Sequence, residues 1–294
     1  MFLEQSFLVN HYNCKLCTKL KVFISVDMEG ATGVTTWEDV IPGKMFYNQS
    51  RKLLTKDVNS AIEGALEAGA TEILVNESHD GMRNLLLDEI NPKARVVRGF
   101  GGKQLVMMEG INESFDRVFL MSYHARAGTL GAILNHTLLG EIFNFWINGI
   151  LVGEGGISAA ISGHFGVPVA MVTGDDKVIK EMQDLLGNNF ESVEVKKGIS
   201  RYSADCIPPE VTSGLIRDAA KRAMSSKVKP YKVKSPCTIE VEFTTLEMGN
   251  VACWVPGIER VEPRKIKYTA ENVVAAWKPI WTSILLASGM GTRE

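Results

Sequence analysis

The chain has 294 residues, of which 45% are hydrophobic and 22% are charged, and this balance excludes an intrinsically disordered protein. Its 32 basic and 34 acidic residues give a formal net charge of −2 without a dense run of lysine or arginine, so the composition predicts no nucleic-acid partner. The chain shows no secretory signal, and no apolar stretch approaches the roughly 18 residues of a membrane-spanning helix. Five cysteines, an odd number, favour reduced thiols and a cytoplasmic location.

Residues 1–19 are predicted to be an N-terminal extension outside the fold. Cys14 and Cys17 have the spacing of a zinc-binding pair, but the three later cysteines offer no second pair, so we favour a plain extension. Leu20 could itself be the translation start, because the codon TTG encodes leucine and can also initiate. Residues 20–294 are predicted to form one α/β unit, and Lys227–Pro236 is the one change of composition that resembles an internal boundary.

From Leu20 onward, short apolar runs alternate with segments of helical periodicity. The first half predicts strands at Lys21–Val26, Glu72–Asn76, Arg95–Val97 and Arg117–Met121, and helices at Tyr47–Ala68 and Lys103–Glu109. Gly69 is placed to end the first of these helices. Strands separated by helices imply right-handed crossovers, so the predicted fold class is α/β with a mostly parallel sheet and flanking helices.

The second half begins with Asn148-Gly149 between apolar flanks, a strong signal for a β-hairpin over Phe143–Val152. Asp175 or Asp176 is expected to cap a helix that ends near Leu186. The other predicted elements are helices at Gly155–Phe165, Glu210–Met224 and Ala270–Leu286, and strands at Val167–Val172, Val193–Lys196, Thr238–Phe243 and Lys265–Tyr268.

Side chains capable of metal binding follow three of the predicted strands. Asp27 and Glu29 follow the first strand, His79 follows the second, and His124 follows the strand at Arg117–Met121. Because ligands bind beyond the carboxyl ends of the strands in an open α/β sheet, we expect these residues to share one crevice. Asp27 and Glu29 face the same side of an extended chain, and two such carboxylates repel unless a cation or a proton lies between them.

Two further candidates lie in glycine-containing segments. Glu154 is flanked by Gly153 and Gly155, which permit close backbone approach, and His136 ends a loop that could present it as an acid or base. Each candidate also has a simpler interpretation. Asp27 and Glu29 could form a solvated turn, the histidines could be capped or at the surface, and Glu154 could be a helix N-terminal charge. Spacing alone leaves both interpretations open and does not identify the metal.

The order of these motifs resembles that of the D-aminopeptidase family of dinuclear zinc peptidases. The stretch Ser25-Val26-Asp27-Met28-Glu29-Gly30 is similar to the family's SxDxEG motif. In the family's order, and close to its spacing, follow Val75-Asn76-Glu77-Ser78-His79, Tyr123-His124-Ala125-Arg126-Ala127, Asn135-His136, Val152-Gly153-Glu154 and Gly174-Asp175-Asp176. The resemblance extends from Leu20 to about the last helix.

The resemblance implies a centre in which two zinc ions are held by five side chains. Asp27 would bridge both ions. Glu29 and His124 would complete one site, and His79 and Glu154 would complete the other.

His136 matches the catalytic histidine of the family, and we expect it to stabilise the oxyanion or to carry a proton to the leaving amine. The family's subunit has two α/β lobes and assembles into a decamer. The implied activity is hydrolysis of the N-terminal peptide bond of short peptides that begin with a D-residue, such as D-Ala-D-Ala. The loop Gly128–Asn135 is slightly longer than expected, which could alter the side chain that is accepted. Another dizinc amidohydrolase and a non-enzymatic peptide-binding protein are the alternatives.

Overall fold

The computed structural model describes residues 20–290, so the predicted extension, with Cys14 and Cys17, lies outside the described residues. The strands are β1 (Leu20–Val26), β2 (Ala70–Glu77), β3 (Ala94–Val97), β4 (Arg117–Tyr123), β5 (Ile142–Ile147), β6 (Ile150–Leu151), β7 (Val169–Asp175), β8 (Glu191–Ser200), β9 (Ser203–Cys206), β10 (Cys237–Phe243), β11 (Glu259–Glu262) and β12 (Lys265–Ala270). The helices are α1 (Trp37–Val40), α2 (Tyr47–Glu67), α3 (Glu154–His164), α4 (Asp176–Leu186), α5 (Pro209–Ala223), α6 (Leu246–Ala252) and α7 (Val273–Ser288). No helix in residues 20–290 has the length and apolar character to cross a membrane.

The larger sheet has seven strands in the order β3-β2-β1-β4-β7-β8-β9. Its strands are parallel, except that β9 runs antiparallel to β8. The prediction of an α/β fold with a mostly parallel sheet is therefore confirmed. Strand order proceeds from β1 through β2 to β3 on one side, and β4 lies on the other side of β1. A crevice for ligands opens where the order reverses in this way, beyond the carboxyl ends of β1 and β4.

The second sheet has five antiparallel strands in the order β11-β12-β10-β5-β6. Its hairpin between β5 and β6 turns at Asn148 and Gly149, whose φ angles are 48° and 77°, as the sequence predicts. Buried and half-buried residues alternate along β10, which shows that one face of this strand packs into the core. The hairpin leads directly into α3, and this connection positions the start of that helix.

Two hydrophobic clusters cover the two faces of the parallel sheet. Along β1, Phe23 belongs to one cluster and Ile24 to the other, because successive side chains of a strand point to opposite faces. The Ile24 cluster includes Leu54 of α2 and Ile216 of α5. The Phe23 cluster includes Trp277 of α7 and residues of β5 and β10, so the second sheet packs through the core against the first.

Several local predictions agree closely with the structure, and one is wrong. Helix α2 begins at Tyr47, and Gly69 follows its end with φ +94°. Asp175 caps α4 by accepting a hydrogen bond from the backbone N–H of Val178. The helix predicted at Lys103–Glu109 is instead a single 3₁₀ turn at Val106–Met108.

This segment does not form an α-helix because side chains from elsewhere bind the backbone carbonyl groups of the turn. The Asn76 amide donates to the carbonyl oxygens of Val106 and Met107, and the Ser25 hydroxyl also donates to Met107. Val106 has φ +51°, which an α-helix does not allow. Side chains from two strand ends thus take the carbonyl groups that a helix would need.

The sequence did not predict α1, β9, α6 or β11. These elements have four to seven residues, which is too short for a periodic pattern to show. Residues 227–236 connect α5 to β10, and the division of the subunit into two lobes stays a prediction.

Candidate metal centre

Acidic and imidazole side chains from separate segments meet at the crevice beyond β1 and β4. Asp27 and Glu29 follow β1, His79 follows β2, and His124 follows β4. Glu154 is the first residue of α3, and it approaches the same point from the side of the second sheet. The structure therefore brings together all five residues that the sequence predicts as metal ligands.

Asp27 lies at the middle of this group. Its Oδ1 is 3.5 Å from Nδ1 of His79, and its Oδ2 is 3.4 Å from Nε2 of His124. The same nitrogen of His79 lies 3.0 Å from Oε2 of Glu29, and the same nitrogen of His124 lies 3.3 Å from Oε1 of Glu154. The two oxygen atoms of Asp27 thus face two different imidazoles, as a carboxylate shared between two cations would.

Backbone carbonyl groups fix the protonation of these two imidazole rings. Nε2 of His79 lies 3.0 Å from the carbonyl oxygen of Val40, and Nδ1 of His124 lies 3.0 Å from the carbonyl oxygen of Ala125. Since a carbonyl oxygen only accepts, these nitrogens donate, and in a neutral ring the opposite nitrogen keeps its lone pair. Those lone-pair nitrogens are the ones that face the carboxylates. A carbonyl group that orients the ring in this way is a usual partner of a metal-binding histidine.

His136 is stacked on His124, with ring centroids 4.1 Å apart and ring planes inclined by 11°. Its Nδ1 lies 2.9 Å from the carbonyl oxygen of Leu134, so its Nε2 is the nitrogen left free. That Nε2 is 3.9 Å from Oε1 of Glu29 and 3.8 Å from Oε1 of Glu154. The predicted catalytic histidine therefore adjoins the cluster and points its free nitrogen at it.

The chemistry of the cluster fits a cation. Three of its buried polar atoms have no hydrogen-bond partner within residues 20–290, namely Oδ2 of Asp27, Oε2 of Glu29 and Nε2 of His124. Without a proton or a cation between them, a carboxylate oxygen and an unprotonated imidazole nitrogen would face each other with their lone pairs, which is unfavourable in a buried site. Ligand atoms within 4.8 Å of one another form three sets: Asp27, Glu29 and His79; Asp27, His124 and Glu154; and Glu29, His124 and His136.

Crowding of like charges shifts the acid–base equilibria of this cluster. Burial and the Glu29 carboxylate raise the pKa of Asp27 to about 8. Burial also acts to raise the pKa of Glu29, but a proton on Nδ1 of His79, where a cation would otherwise lie, holds that pKa well below its usual range. Burial and the neighbouring His124 lower the pKa of His136. The buried carboxylates need compensating positive charge, which either protons or a cation can supply.

The loop that carries Asp27 and Glu29 passes very close to β4. The backbone N–H of Gly30 donates to the carbonyl oxygen of Ser122, and a Cβ atom at position 30 would lie 1.9 Å from the carbonyl oxygen of Tyr123. A side chain cannot fit there, so the glycine of the SxDxEG motif is required by close backbone approach.

A fully buried lysine supports the same loop from the other side. Nζ of Lys196 donates to the carbonyl oxygens of Glu29, Ala31 and Val34 at 2.7, 2.8 and 2.6 Å. Burial lowers the pKa of Lys196 to about 8, so the ammonium group is still largely charged at neutral pH. The ammonium group thus holds the backbone of residues 29–34 in a tight loop whose carbonyl groups point towards it.

A half-buried glutamate, Glu181, ties the His124 segment to the Glu154 segment. Oε2 of Glu181 accepts a hydrogen bond from the backbone N–H of Arg126 at 2.9 Å, and its Oε1 accepts one from Gly153 at 3.1 Å. Arg126 lies two residues after His124, and Gly153 immediately precedes Glu154. One carboxylate of α4 therefore sets the spacing between two candidate ligands that come from different sheets.

Neither Lys196 nor Glu181 was predicted as a functional residue from the sequence. Glu181 offered a readable signal, because it lies three positions after Val178 and thus on the buried face of α4. Lys196 offered none, since nothing local to β8 indicates that its partners are carbonyl groups more than 160 residues away.

A cavity of about 250 Å³ opens in front of the cluster. It is lined by Asp27, Glu29, Trp37, Val40, Ile41, Ser78, His79, Asp80, His136, Leu138, Leu139, Gly140, Glu154 and Arg201. The cavity gives a small molecule access to five of the six candidate residues, while His124 lies behind the ring of His136.

A family model described as D-aminopeptidase matches residues 20–282. The D-aminopeptidase of Bacillus subtilis (strain 168) is 32% identical over 271 residues, which cover 91% of this chain and 98% of that protein.

The chain belongs to the D-aminopeptidase family. A solved structure of another member, the Zn-dependent D-aminopeptidase DppA from Bacillus subtilis, described as a self-compartmentalizing protease, superimposes with a TM-score of 0.88 at 32% identity. The match covers 92% of this chain and 98% of that chain. The family that the motifs predict is thereby confirmed.

Proposed function

We propose that this member of the D-aminopeptidase family is a zinc-dependent hydrolase. It cleaves the N-terminal peptide bond of short peptides that begin with a D-residue, such as D-Ala-D-Ala. One observation carries the proposal. In each of three histidines, one ring nitrogen donates to a backbone carbonyl oxygen, and the other nitrogen faces buried carboxylates in the same crevice. The Bacillus subtilis relative is a D-aminopeptidase described as Zn-dependent, which supports both the metal and the substrate class.

Two zinc ions per subunit are part of the proposal, with Asp27 as the ligand that they share. The family resemblance pairs Glu29 with His124 and His79 with Glu154. The shortest distances pair Glu29 with His79 and His124 with Glu154, while a third set brings Glu29 close to His124. Asp27 is the shared ligand in both pairings. Zinc held there would polarise the substrate carbonyl group and lower the pKa of a water molecule.

His136 is proposed to move the proton that peptide hydrolysis requires. Its Nδ1–H is committed to the carbonyl oxygen of Leu134, so Nε2 can accept a proton from the attacking water. The same Nε2 then gives this proton to the nitrogen of the leaving amine. Stacking against His124 keeps the ring in this orientation.

The protein is further proposed to form a homo-oligomer, with ten subunits by family resemblance. The support is the Bacillus subtilis relative, which is described as a self-compartmentalizing protease. A cytoplasmic location is also retained as a proposal. The described cysteines, Cys206, Cys237 and Cys253, are free thiols, which agrees with a reducing compartment.

The test combines metal analysis with a substrate panel. Protein purified without a chelator is expected to contain zinc, to hydrolyse D-Ala-D-Ala faster than L-Ala-L-Ala, to lose activity with a chelator and to regain it with added zinc. A protein that binds no metal, or that prefers N-acylated amines to free peptides, contradicts the proposal.

His136→Ala tests the proton transfer separately. The variant is expected to lose most of kcat, because general acid–base catalysis contributes on the order of 10²- to 10⁴-fold, while its zinc content stays at the wild-type level. An unchanged kcat would remove His136 from the mechanism.

A further inference from the structure

The cavity in front of the metal centre has one guanidinium group on its wall. Arg201 lines this cavity together with Asp27, Glu29 and Glu154. Among the described residues that line the cavity, it is the only lysine or arginine. The centre itself gathers carboxylates, so Arg201 is the place where a negatively charged part of a substrate finds opposite charge.

Arg201 is held in place without being neutralised. Its Cζ lies 5.8 Å from the ring centroid of Trp37 and 5.6 Å from that of Tyr202, so the two aromatic rings flank the guanidinium. One terminal nitrogen donates to the carbonyl oxygen of Asn135 at 3.2 Å. The ion pairs within residues 20–290 do not include Arg201, and most of its five N–H donors remain available.

We propose that Arg201 binds the C-terminal carboxylate of a dipeptide substrate and thereby makes the enzyme selective for dipeptides. The inference rests on the proposed function, because an aminopeptidase places the first peptide bond at the metal centre. In a dipeptide the free carboxylate lies one residue beyond that bond, within about 4 Å along the chain. In a longer peptide an uncharged amide occupies the same position, so the charge-assisted contact is lost.

The size of the cavity agrees with a small substrate. Its volume of about 250 Å³ is below the range of roughly 300–1,000 Å³ that is typical of sites for larger ligands. Planar guanidinium and carboxylate groups can form two parallel hydrogen bonds, which would fix the orientation of the substrate as well as its charge.

The experiment compares two substrates that differ only at the C-terminus, D-Ala-D-Ala and D-Ala-D-Ala amide. Arg201→Met is expected to raise KM for D-Ala-D-Ala by about fivefold, because Arg201 is exposed and solvent screens its pairing with a carboxylate. KM for the amide should change less than twofold. Arg201→Lys keeps the charge and should recover part of the affinity for D-Ala-D-Ala.

Lys197→Met is the matched control, because it removes a positive charge four residues before Arg201, from an exposed residue of β8 that does not line the cavity. It should leave both KM values unchanged. An equal fall of kcat on both substrates in Arg201→Met would overturn the inference, since it would show that Arg201 positions the His136 loop through Asn135. Equal KM values of wild type and Arg201→Met for D-Ala-D-Ala would overturn it as well.

Calorimetric binding of the two compounds to zinc-loaded His136→Ala separates this inference from the proposed function. If the wild type cleaves neither compound but the His136→Ala protein binds D-Ala-D-Ala about fivefold more tightly than its amide, the hydrolase proposal fails and the role of Arg201 stands. Equal binding of both compounds removes that role, whether or not they are cleaved.

Discussion

Asp27, Glu29, His79 and His124 reach the metal centre from the ends of three adjacent parallel strands, whereas His136 and Glu154 reach it from a loop and from a helix attached to the second sheet. We refer to these as the strand-end group and the loop group. Hydrogen bonds between β1, β2 and β4 set the spacing within the strand-end group. Long-range hydrogen bonds set the position of the loop group, chiefly those that Glu181 accepts.

This difference indicates that the two groups should fail in different ways. Support for the strand-end group is part of the core of the fold, so its loss should lower the free energy of unfolding. Support for the loop group adjusts the spacing of ligands, so its loss should lower metal affinity while the fold persists. Four substitutions test this division.

Asp27→Asn should have the largest effect, because Asp27 belongs to both of the ligand sets proposed to hold the two zinc ions. Loss of Lewis-acid catalysis removes several kcal/mol of transition-state stabilisation, so kcat/KM should fall on the order of a thousandfold or more. Metal content, measured by elemental analysis, should fall for all bound ions together. The exposed Asp88→Asn is the control, and retention of full metal content by Asp27→Asn would contradict a shared ligand.

Lys196→Met should have the second-largest effect, and it should act by lowering the stability of the fold. It leaves the carbonyl groups of Glu29, Ala31 and Val34 without their donor, and we expect the free energy of unfolding to fall by about 4 kcal/mol. Urea denaturation in the presence of a chelator measures this without any contribution from bound metal. Lys197→Met, an exposed neighbour, should unfold like the wild type. Unchanged stability of Lys196→Met would break the division between the groups.

Asp57→Asn tests a second support of the same loop through its pH dependence. Asp57 accepts hydrogen bonds from the backbone and the hydroxyl of Thr32, and burial raises its pKa from 3.8 to about 6. Because the folded protein binds the proton more tightly than the unfolded chain, this carboxyl group stabilises the fold most at low pH. That stability is lost as the pH rises through about 6.

Asparagine stays neutral, so the variant does not lose this stability as the pH rises. Between pH 4 and pH 8, the unfolding free energy of Asp57→Asn should therefore increase by about 2 kcal/mol relative to that of the wild type. Urea denaturation at a series of pH values gives this difference. A constant difference over that range would show that Asp57 does not titrate as the structure indicates.

Glu181→Gln should have the smallest effect, and it should lower only the affinity for metal ions. The side-chain amide turns an N–H₂ group towards one of two backbone N–H donors, so the spacing between the His124 and Glu154 segments relaxes. We expect affinity for one metal ion to fall about tenfold, as is usual when a residue that orients a ligand is changed. Zinc titration against a competing chelator measures this, and the exposed Asp184→Asn on the same helix is the control. A large loss of stability would place Glu181 with the fold rather than with the loop group.

The strand-end group was accessible from the sequence, and the loop group was less so. A polar residue directly after an apolar strand identifies Asp27, His79 and His124, because parallel strands end at one shared edge. Glu154 and His136 rested on glycine-rich context and on family resemblance, since their positions depend on pairing between β5 and β10 across almost 100 residues. Their roles as ligand and acid–base group remain proposals.

The fold shows the same limit. Long periodic elements such as α2 were predicted to within a residue or two, whereas the turn at Val106–Met108 was not, because side chains of Ser25 and Asn76 decide its shape. The antiparallel sheet was not predicted as a sheet, although β10 and β12 were expected as strands. Which strands pair is a property of the whole core rather than of any one segment.

The contact between Gly30 and β4 limits how this protein can change. A single methyl group at that position would collide with the carbonyl oxygen of Tyr123, and the obstacle is main chain rather than a side chain that could rotate away. No substitution elsewhere in one step can make room for it. Random replacement of this codon should therefore return only glycine among functional clones.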